Sequence, residues 1–337
     1  MIFDRQPGGS RKLEPATMSA IPSDPHPQAA SLHPDYDASQ LVGLTRLEQL
    51  GVIRAQGADA ASFLHGQLTQ DFALLGHHEA RLAGYCSAKG RMLASFIGWK
   101  AGDDEILLVC SRDLLAATLK RLSMFVMRAK LKLSDASSEF ALLGAVGASV
   151  PGQLAAANWS RLDDEAGSWI RLPASAGVAR ALLCATADRQ PDAALAPELW
   201  QWLEVRSGVA LLSAPVREEF VPQMLNYESV GGVNFKKGCY PGQEVVARSQ
   251  YRGALKRRAQ IFHLDAQARV GQEIFHASDA EQPCRRVAAA APHPVSGWDV
   301  IASLQTSALD GQPLTLGSAA GAALLLLPLP YELLQDI

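Results

Sequence analysis

No C-x-x-C pair occurs in this chain. Its five cysteines, Cys86, Cys110, Cys184, Cys239 and Cys284, are odd in number and widely scattered. A disulfide framework is therefore not expected, nor is a self-contained zinc or iron–sulfur site. The pattern suits a reducing, cytoplasmic compartment. The eight histidines are also scattered, and the neighbours His77 and His78 would diverge on any regular element. No permanently bound metal is expected. Net charge is only −3 over 337 residues, which argues against a dedicated nucleic-acid binder on bulk charge. The N-terminus lacks the apolar stretch of a secretory signal. The longest apolar run, Ala319 to Leu329, is interrupted by Gly321 and Pro328. It is too short for a membrane span, which needs about 20 residues, and reads as a buried terminal strand. No membrane partner and no internal repeat are expected.

What is present is ample apolar material, 48% of the residues, in a chain long enough for two or three domains. Residues 1–38 are rich in Pro, Ser, Gly and Asp and read as a disordered tail. From there the pattern predicts an N-terminal α+β domain over 39–135. Its elements are a strand at Val52–Ala55, a helix at Asp59–Gln67, a turn at Tyr85–Gly90, strands at Met92–Trp99 and Glu105–Cys110, and a helix capped by Ser111. That helix sets Leu115, Leu119, Leu122 and Val126 on one face, and Lys130–Leu133 alternates as a strand. The order is that of a split β-α-β unit. A second α+β domain, 136–248, has strands at Phe140–Val146 and Ala179–Ala185. Its helix opens at Pro197, runs through Trp200 and Leu203, and closes at Gly208. Trp200 and Trp202 fall on different faces, one for the core and one for a domain contact. Residues 249–337, with short apolar stretches between Gly, Pro and Asp, read as a small β-barrel.

The segment Phe220 to Arg258 carries the chemistry. It contains Val221-Pro222-Gln223-Met224-Leu225-Asn226, then Gly231-Gly232, then Lys236-Lys237-Gly238-Cys239-Tyr240-Pro241-Gly242-Gln243-Glu244, and Arg248. Glycines at 231, 232, 238 and 242 let the backbone turn tightly or approach a ligand closely. Between 236 and 258, seven basic residues stand against one glutamate, a local field that favours an anionic ligand. Cys239 lies beside two lysines, and nearby cations stabilise a thiolate. Gln243 and Glu244 offer acceptors to a flat ring edge. On physics alone, a ligand site and a glycine-rich structural turn with a quiet thiol both fit these residues. Cys110 and Cys184, in apolar strands, read as core, and Cys86, in a turn near Lys89, could approach the site.

The run Lys237-Gly238-Cys239-Tyr240-x-Gly242-Gln243-Glu244 resembles the signature of the YgfZ family. Flanking agreement comes from Gly57-x-Asp59-Ala60, Phe63-Leu64-x-Gly66-Gln67-x-Thr69-x-Asp71, Lys89-Gly90-Arg91-Met92, and Arg252-Gly253. The resemblance covers about residues 41 to 337. It implies an α+β fold like that of the glycine-cleavage T-protein, with modules around a central funnel and a C-terminal β-barrel. It implies a folate ligand, tetrahydrofolate or a derivative. It also implies transient partnership with iron–sulfur enzymes or cluster carriers, and an indirect link to tRNA through thiomethylation. Cys239 would be the reactive thiol and Lys237 its basic neighbour. Gln223, Asn226, Gly238, Tyr240, Gly242, Gln243, Glu244 and Arg248 would form the cofactor-binding set. Pro241 and His65 depart mildly from the family pattern.

Two other readings stay open. The T-protein relatives are aminomethyltransferases, and their chemistry needs a carboxylate in the strand after the first Gly-rich turn. Here Gly90–Phe96 contains none, and Arg206 takes the place of a second family glutamate, with Glu204 two residues away. General acid–base work needs a group within hydrogen-bond reach, so a non-catalytic folate-binding factor is favoured over a transferase. An RNA-binding module is suggested by Lys256-Arg257-Arg258, without an evident aromatic stacking platform.

Overall fold

The computed structural model describes residues 41–251 and 255–334, and the tail expected at 1–38 lies outside them. Two neighbouring strands set the architecture. β1 (Gly43–Arg46) and β2 (Leu50–Gln56) are consecutive in sequence yet enter different sheets. β2 joins β3 (Ala80–Cys86), β4 (Met92–Gly102), β5 (Glu105–Ser111) and β6 (Lys132–Asp135) in an antiparallel sheet of order β3-β4-β5-β2-β6. β1 instead pairs with β7 (Phe140–Val146), which belongs with β8 (Arg161–Asp164), β9 (Gly167–Ser175) and β10 (Val178–Thr186) in the order β1-β7-β10-β9-β8. The third sheet takes β11 (Arg257–Leu264), β12 (Glu273–His276), β13 (Asp279–Pro292), β14 (Trp298–Gln305), β15 (Leu314–Leu316) and β16 (Leu325–Leu327) in the order β15-β12-β13-β14-β11-β16. Leu316 N donates to Ala322 O (2.9 Å) and Leu324 N to Leu314 O (2.9 Å). These bonds bring the chain leading into β16 back onto β15, so the sheet curls towards a barrel. This is the expected α+β architecture.

Four helices complete it: α1 (Ala60–Gln67), α2 (Arg112–Ser123), α3 (Pro197–Arg206) and α4 (Gln243–Tyr251). None of the helices among the described residues is long and apolar enough to cross a membrane. α2 stops at Ser123, so Val126 falls outside the helix that the apolar spacing extends to it. The Ser123 hydroxyl donates back to Leu119 O, and Met124 and Val126 close i→i−3 turns, a common way for a helix to end. β6 begins at Lys132 rather than Lys130 because Asp59 holds the Lys130 N–H (2.6 Å) through its carboxylate. The terminal run is not a buried strand. Leu325 and Leu326 are 37% and 44% exposed, since β16 sits at a sheet edge with β11 on one side only.

One apolar cluster draws on all three sheets, and each sheet has a second cluster of its own. In the shared cluster, Val52, Trp99 and Val109 come from the first sheet, Leu142, Ile170 and Leu182 from the second, and Ala259, Ile261 and Ile301 from the third. α3 fills the space between. Trp200 lies on the second sheet against Gly144, with the Arg180 guanidinium 4.5 Å above its ring. Trp202, also buried, points the other way and donates its indole N–H to Asp299 Oδ2 on β14 (2.8 Å). The fully buried Asp299 also meets His263 Nδ1 at 2.8 Å and Arg206 Nη1 at 3.7 Å. A buried carboxylate needs such partners, since an isolated charge there costs far more than a missing hydrogen bond.

A Cβ at Gly144 would sit 2.4 Å from Trp200 Cε3. Gly144→Ala is therefore expected to destabilise the chain by about 2–3 kcal/mol, because overpacking a filled core forces backbone or rotamer shifts. Urea denaturation measures this, and an unchanged midpoint would mean that α3 moves freely on the second sheet.

Candidate functional site

The glycine-rich segment is strapped to the first sheet by backbone chemistry. The Thr69 hydroxyl donates to Gly232 O (2.6 Å) and accepts from Gly84 N (2.7 Å), so one side chain ties β3 to the segment. Asn234 N donates to Thr69 O (2.9 Å), and Gln70 Nε2 to Gly231 O (2.7 Å). Lys237 then turns inward. Its Nζ donates to His65 O (2.5 Å), Leu68 O (3.0 Å) and Gly238 O (3.2 Å), and stands 4.6 Å from the centre of the Tyr240 ring. His65 and Leu68 close the C-terminal turn of α1, where carbonyls lack partners in the helix and attract a cation. Burial pulls the Lys237 pKa down to about 8, opposed by the Asp71 carboxylate and the Cys239 thiol.

With Lys237 held inside, Gly238 passes close to the His65 ring and Cys239 emerges exposed. His65 Nδ1 lies 3.0 Å from Asp71 Oδ1. Burial works against the Asp71 charge, yet the Leu74 N–H and the His65 ring hold its pKa below the usual carboxylate value. After the buried Tyr240, Gly242 adopts φ +80°, and a Cβ there would meet Ser87 O at 2.4 Å. Gly90, at φ +69°, faces it across this contact. The Lys89-Gly90 turn and the motif are thus two halves of one joint.

The second half of the motif is helical. Gln243, Glu244 and Arg248 lie on α4, with Glu244 and Arg248 exposed and Gln243 half-buried. Gln223 is buried and donates its Nε2 to Val246 O (2.7 Å), which fixes α4. Asn226, at φ +57°, spends its amide on the Ala259 backbone (2.9 and 3.2 Å) and on the Tyr331 hydroxyl (3.2 Å). It joins the segment to the first strand of the third sheet. The site residues read from the sequence therefore form one continuous structure with different tasks. Cys239, Glu244 and Arg248 face outward, while Lys237, Tyr240, Gln223 and Asn226 are buried.

The five cysteines separate sharply. Cys86, expected in a turn open to the site, instead ends β3 with Tyr85 and is buried, as are Cys110 and Cys184; Cys284 is intermediate, and Cys239 is exposed. Burial pushes the thiols of Cys86, Cys110 and Cys184 up to about 12. Among the described residues, no three His, Cys, Asp or Glu side chains converge as a metal-ligand set.

Two cavities bear on the function; none of the cofactor-binding residues read from the sequence lines the first, and of that set Gln223 and Arg248 line the second. One, of about 560 Å3, is lined from all three modules: Leu50 and Ser111–Asp113 of the first, Gln201, Glu204 and Val205 of α3, and Ala288–Ala290 of β13. The other, of about 750 Å3, is lined by Gln223 and Arg248 together with Lys256, Arg257 and Gln305–Ser307. Glu204, two residues off the family position in sequence, lines the first cavity. Its carboxyl pKa is raised by burial, against the pull of Arg180.

No family model matches the chain. Curated relatives do. The tRNA-modifying protein YgfZ of Edwardsiella ictaluri is 32% identical over 275 residues, covering 77% of this chain and 78% of that protein. The tRNA-modifying protein YgfZ of Serratia proteamaculans is 32% identical over 251 residues, covering 70% and 74%. This chain belongs to the YgfZ family. An uncharacterized protein of Haemophilus influenzae is 30% identical over 239 residues, with 70% and 78% covered. Among solved structures, the glycine cleavage system aminomethyltransferase T of Bartonella henselae superposes with a TM-score of 0.64. It is 14% identical and covers 88% of this chain and 87% of that one. This YgfZ member thus shares the T-protein fold.

Two outcomes follow from the motif's geometry. Cys239 is expected to alkylate at least 100-fold faster than Cys86, Cys110 and Cys184 at pH 7.5. Mass spectrometry after brief iodoacetamide exposure reads this. The three buried thiols gain reactivity only as pH climbs towards 12 or as the chain unfolds. Lys237→Met, which orphans the α1 carbonyls, should cost about 2–3 kcal/mol in urea denaturation.

Proposed function

We propose that this YgfZ member is a folate-binding accessory protein that supports assembly or repair of iron–sulfur enzymes, including one used in tRNA thiomethylation. The names of the relatives favour a place in tRNA modification. What supports the reading is an exposed thiol, Cys239, on a loop anchored from within by Lys237, in a chain that also holds a separate, partly open cavity between its modules.

A reduced folate joins a flat pterin with an N–H edge, an apolar benzoyl body and anionic glutamate. The cavity between the three modules suits each part. Glu204 and Gln201 are acceptors for the pterin edge, Val205, Val209, Leu211 and Ala288–Ala290 are apolar walls, and Arg112 is a cation for the glutamate. The folate, when bound, would supply one-carbon chemistry. The residues of this chain bind it, orient it and exclude water. Cys239 would act outside, where a thiolate can attack an electrophile or take up one coordination position of a partner's iron. One thiol holds a cluster only together with other ligands, so the partner must provide them.

Aminomethyl transfer is the less favoured reading. The start of β4 carries Ser95 rather than a carboxylate, and its hydroxyl accepts the Leu212 N–H (2.8 Å). An assay with an aminomethyl donor and tetrahydrofolate is expected to show no turnover above background.

Isothermal titration with tetrahydrofolate, methylene-tetrahydrofolate and folic acid tests the ligand. Glu204→Gln is expected to weaken binding about tenfold, the scale of one charge-assisted hydrogen bond. Because burial raises the Glu204 pKa, wild-type affinity should fall on acidification, while that of the variant stays level. Absence of both heat and thermal shift with every folate would sink the ligand assignment. Separately, Cys239→Ala should fold normally yet fail to restore iron–sulfur enzyme activity in a deletion strain.

A further inference from the structure

The cavity of about 750 Å3 beside α4 has no part in folate binding as proposed above, and its wall has a consistent character. Arg248 enters from α4, Lys256 from the segment before β11, and Arg257 from β11 itself. Among its described lining residues none is acidic. Arg257 has a further cation, Arg91, beside it, which together with burial lowers its pKa. Like charges held together in one concave wall raise the local potential and attract an anion.

The rest of the lining says what else the ligand must carry. Val221, Met224 and Leu255 offer an apolar face, while Ser249, Gln305, Thr306 and Ser307 offer hydrogen-bonding groups. Gln223, 1% exposed, gives its Nε2 to Val246, and its Oε1 finds no hydrogen-bond partner among the described residues. That oxygen has no surface open to the cavity, so the polar groups offered to a ligand are those of Ser249, Gln305, Thr306 and Ser307. The volume far exceeds that of an inorganic anion. A phosphate, a flat apolar ring and N–H or O–H donors occur together in a nucleotide.

We propose that this cavity binds a nucleotide unit through its phosphate, held by Arg248, Lys256 and Arg257, with the base against Val221, Met224 and Leu255. The site is separate from the cavity assigned to folate, and it stands or falls independently of that assignment. Two sources share this chemistry, a free mononucleotide and one unit of an RNA strand.

The test uses the full chain at low salt, with adenosine monophosphate and a fluorescein-labelled single-stranded RNA of about ten nucleotides as probes. Saturable RNA binding that Lys256→Ala/Arg257→Ala weakens about tenfold, with tetrahydrofolate affinity unchanged, is the expected result. The salt slope should flatten by about 0.7 in the double variant, the contribution of one phosphate neutralised on a single strand. Competition by adenosine monophosphate identifies a free nucleotide as sufficient. RNA binding without such competition identifies the strand as the source. Photo-crosslinking of 4-thiouridine RNA to the wild-type chain, mapped to 255–257 or 305–307, gives a readout that does not depend on how the variant folds. Crosslinks elsewhere, equal RNA binding by the double variant, or displacement of the RNA by polyglutamylated folate would each overturn the proposal.

Discussion

The ammonium of Lys237 is the contact on which the site depends. It answers two open carbonyls at the end of α1 and one in its own loop. A cation placed there satisfies groups that the helix cannot satisfy itself, and in doing so it sets the course of the chain for several residues. Cys239 is exposed because Lys237 is not. The Gly90–Gly242 joint and the Gln223 bond to Val246 then fix the far side of the loop. The loop that carries the exposed thiol is thereby anchored on both sides.

The cavity beside α3 has an origin of its own. Three sheets share one apolar cluster, but α3 separates them where its two tryptophans diverge: Trp200 to Gly144, Trp202 to Asp299. The gap is lined by the first sheet and α2 at Leu50 and Ser111–Asp113, by α3 at Gln201, Glu204 and Val205, and by the third sheet at Ala288–Ala290. The residues that hold the modules apart and the residues that face the gap alternate along the same ten-residue helix.

Local patterns make much of this legible in the sequence alone. The apolar run of β5, the Pro197 start of α3 and the glycine-rich motif are signals contained within a few residues, and each lies where the pattern puts it. Long-range effects are not legible in that way. Val126 continues an apolar stripe, but the helix has already ended at Ser123. Lys130 alternates like a strand, but Asp59 claims its backbone. β8 and much of β9 escape pattern reading because their short segments, broken by Asp163, Asp164 and Gly167, show no sustained period. In the site, the type of residue at 237 is informative while its direction is not. That the lysine beside the cysteine spends its ammonium on a helix end far back in sequence is a tertiary fact.

The parting of β1 and β2 bears on how the chain comes into being. Gly43 pairs with Val146, whereas Leu50, a few residues later, pairs with Ser111. As the chain leaves the ribosome, β2 finds its partners first, and β1 must wait with an unsatisfied edge until β7 has emerged. The same holds for Asn226, whose amide bonds to Ala259 and to Tyr331 near the chain's end. Pairings of such long reach are slow to form. The segment that precedes the motif therefore completes its bonds only once the chain as far as Tyr331 is in place.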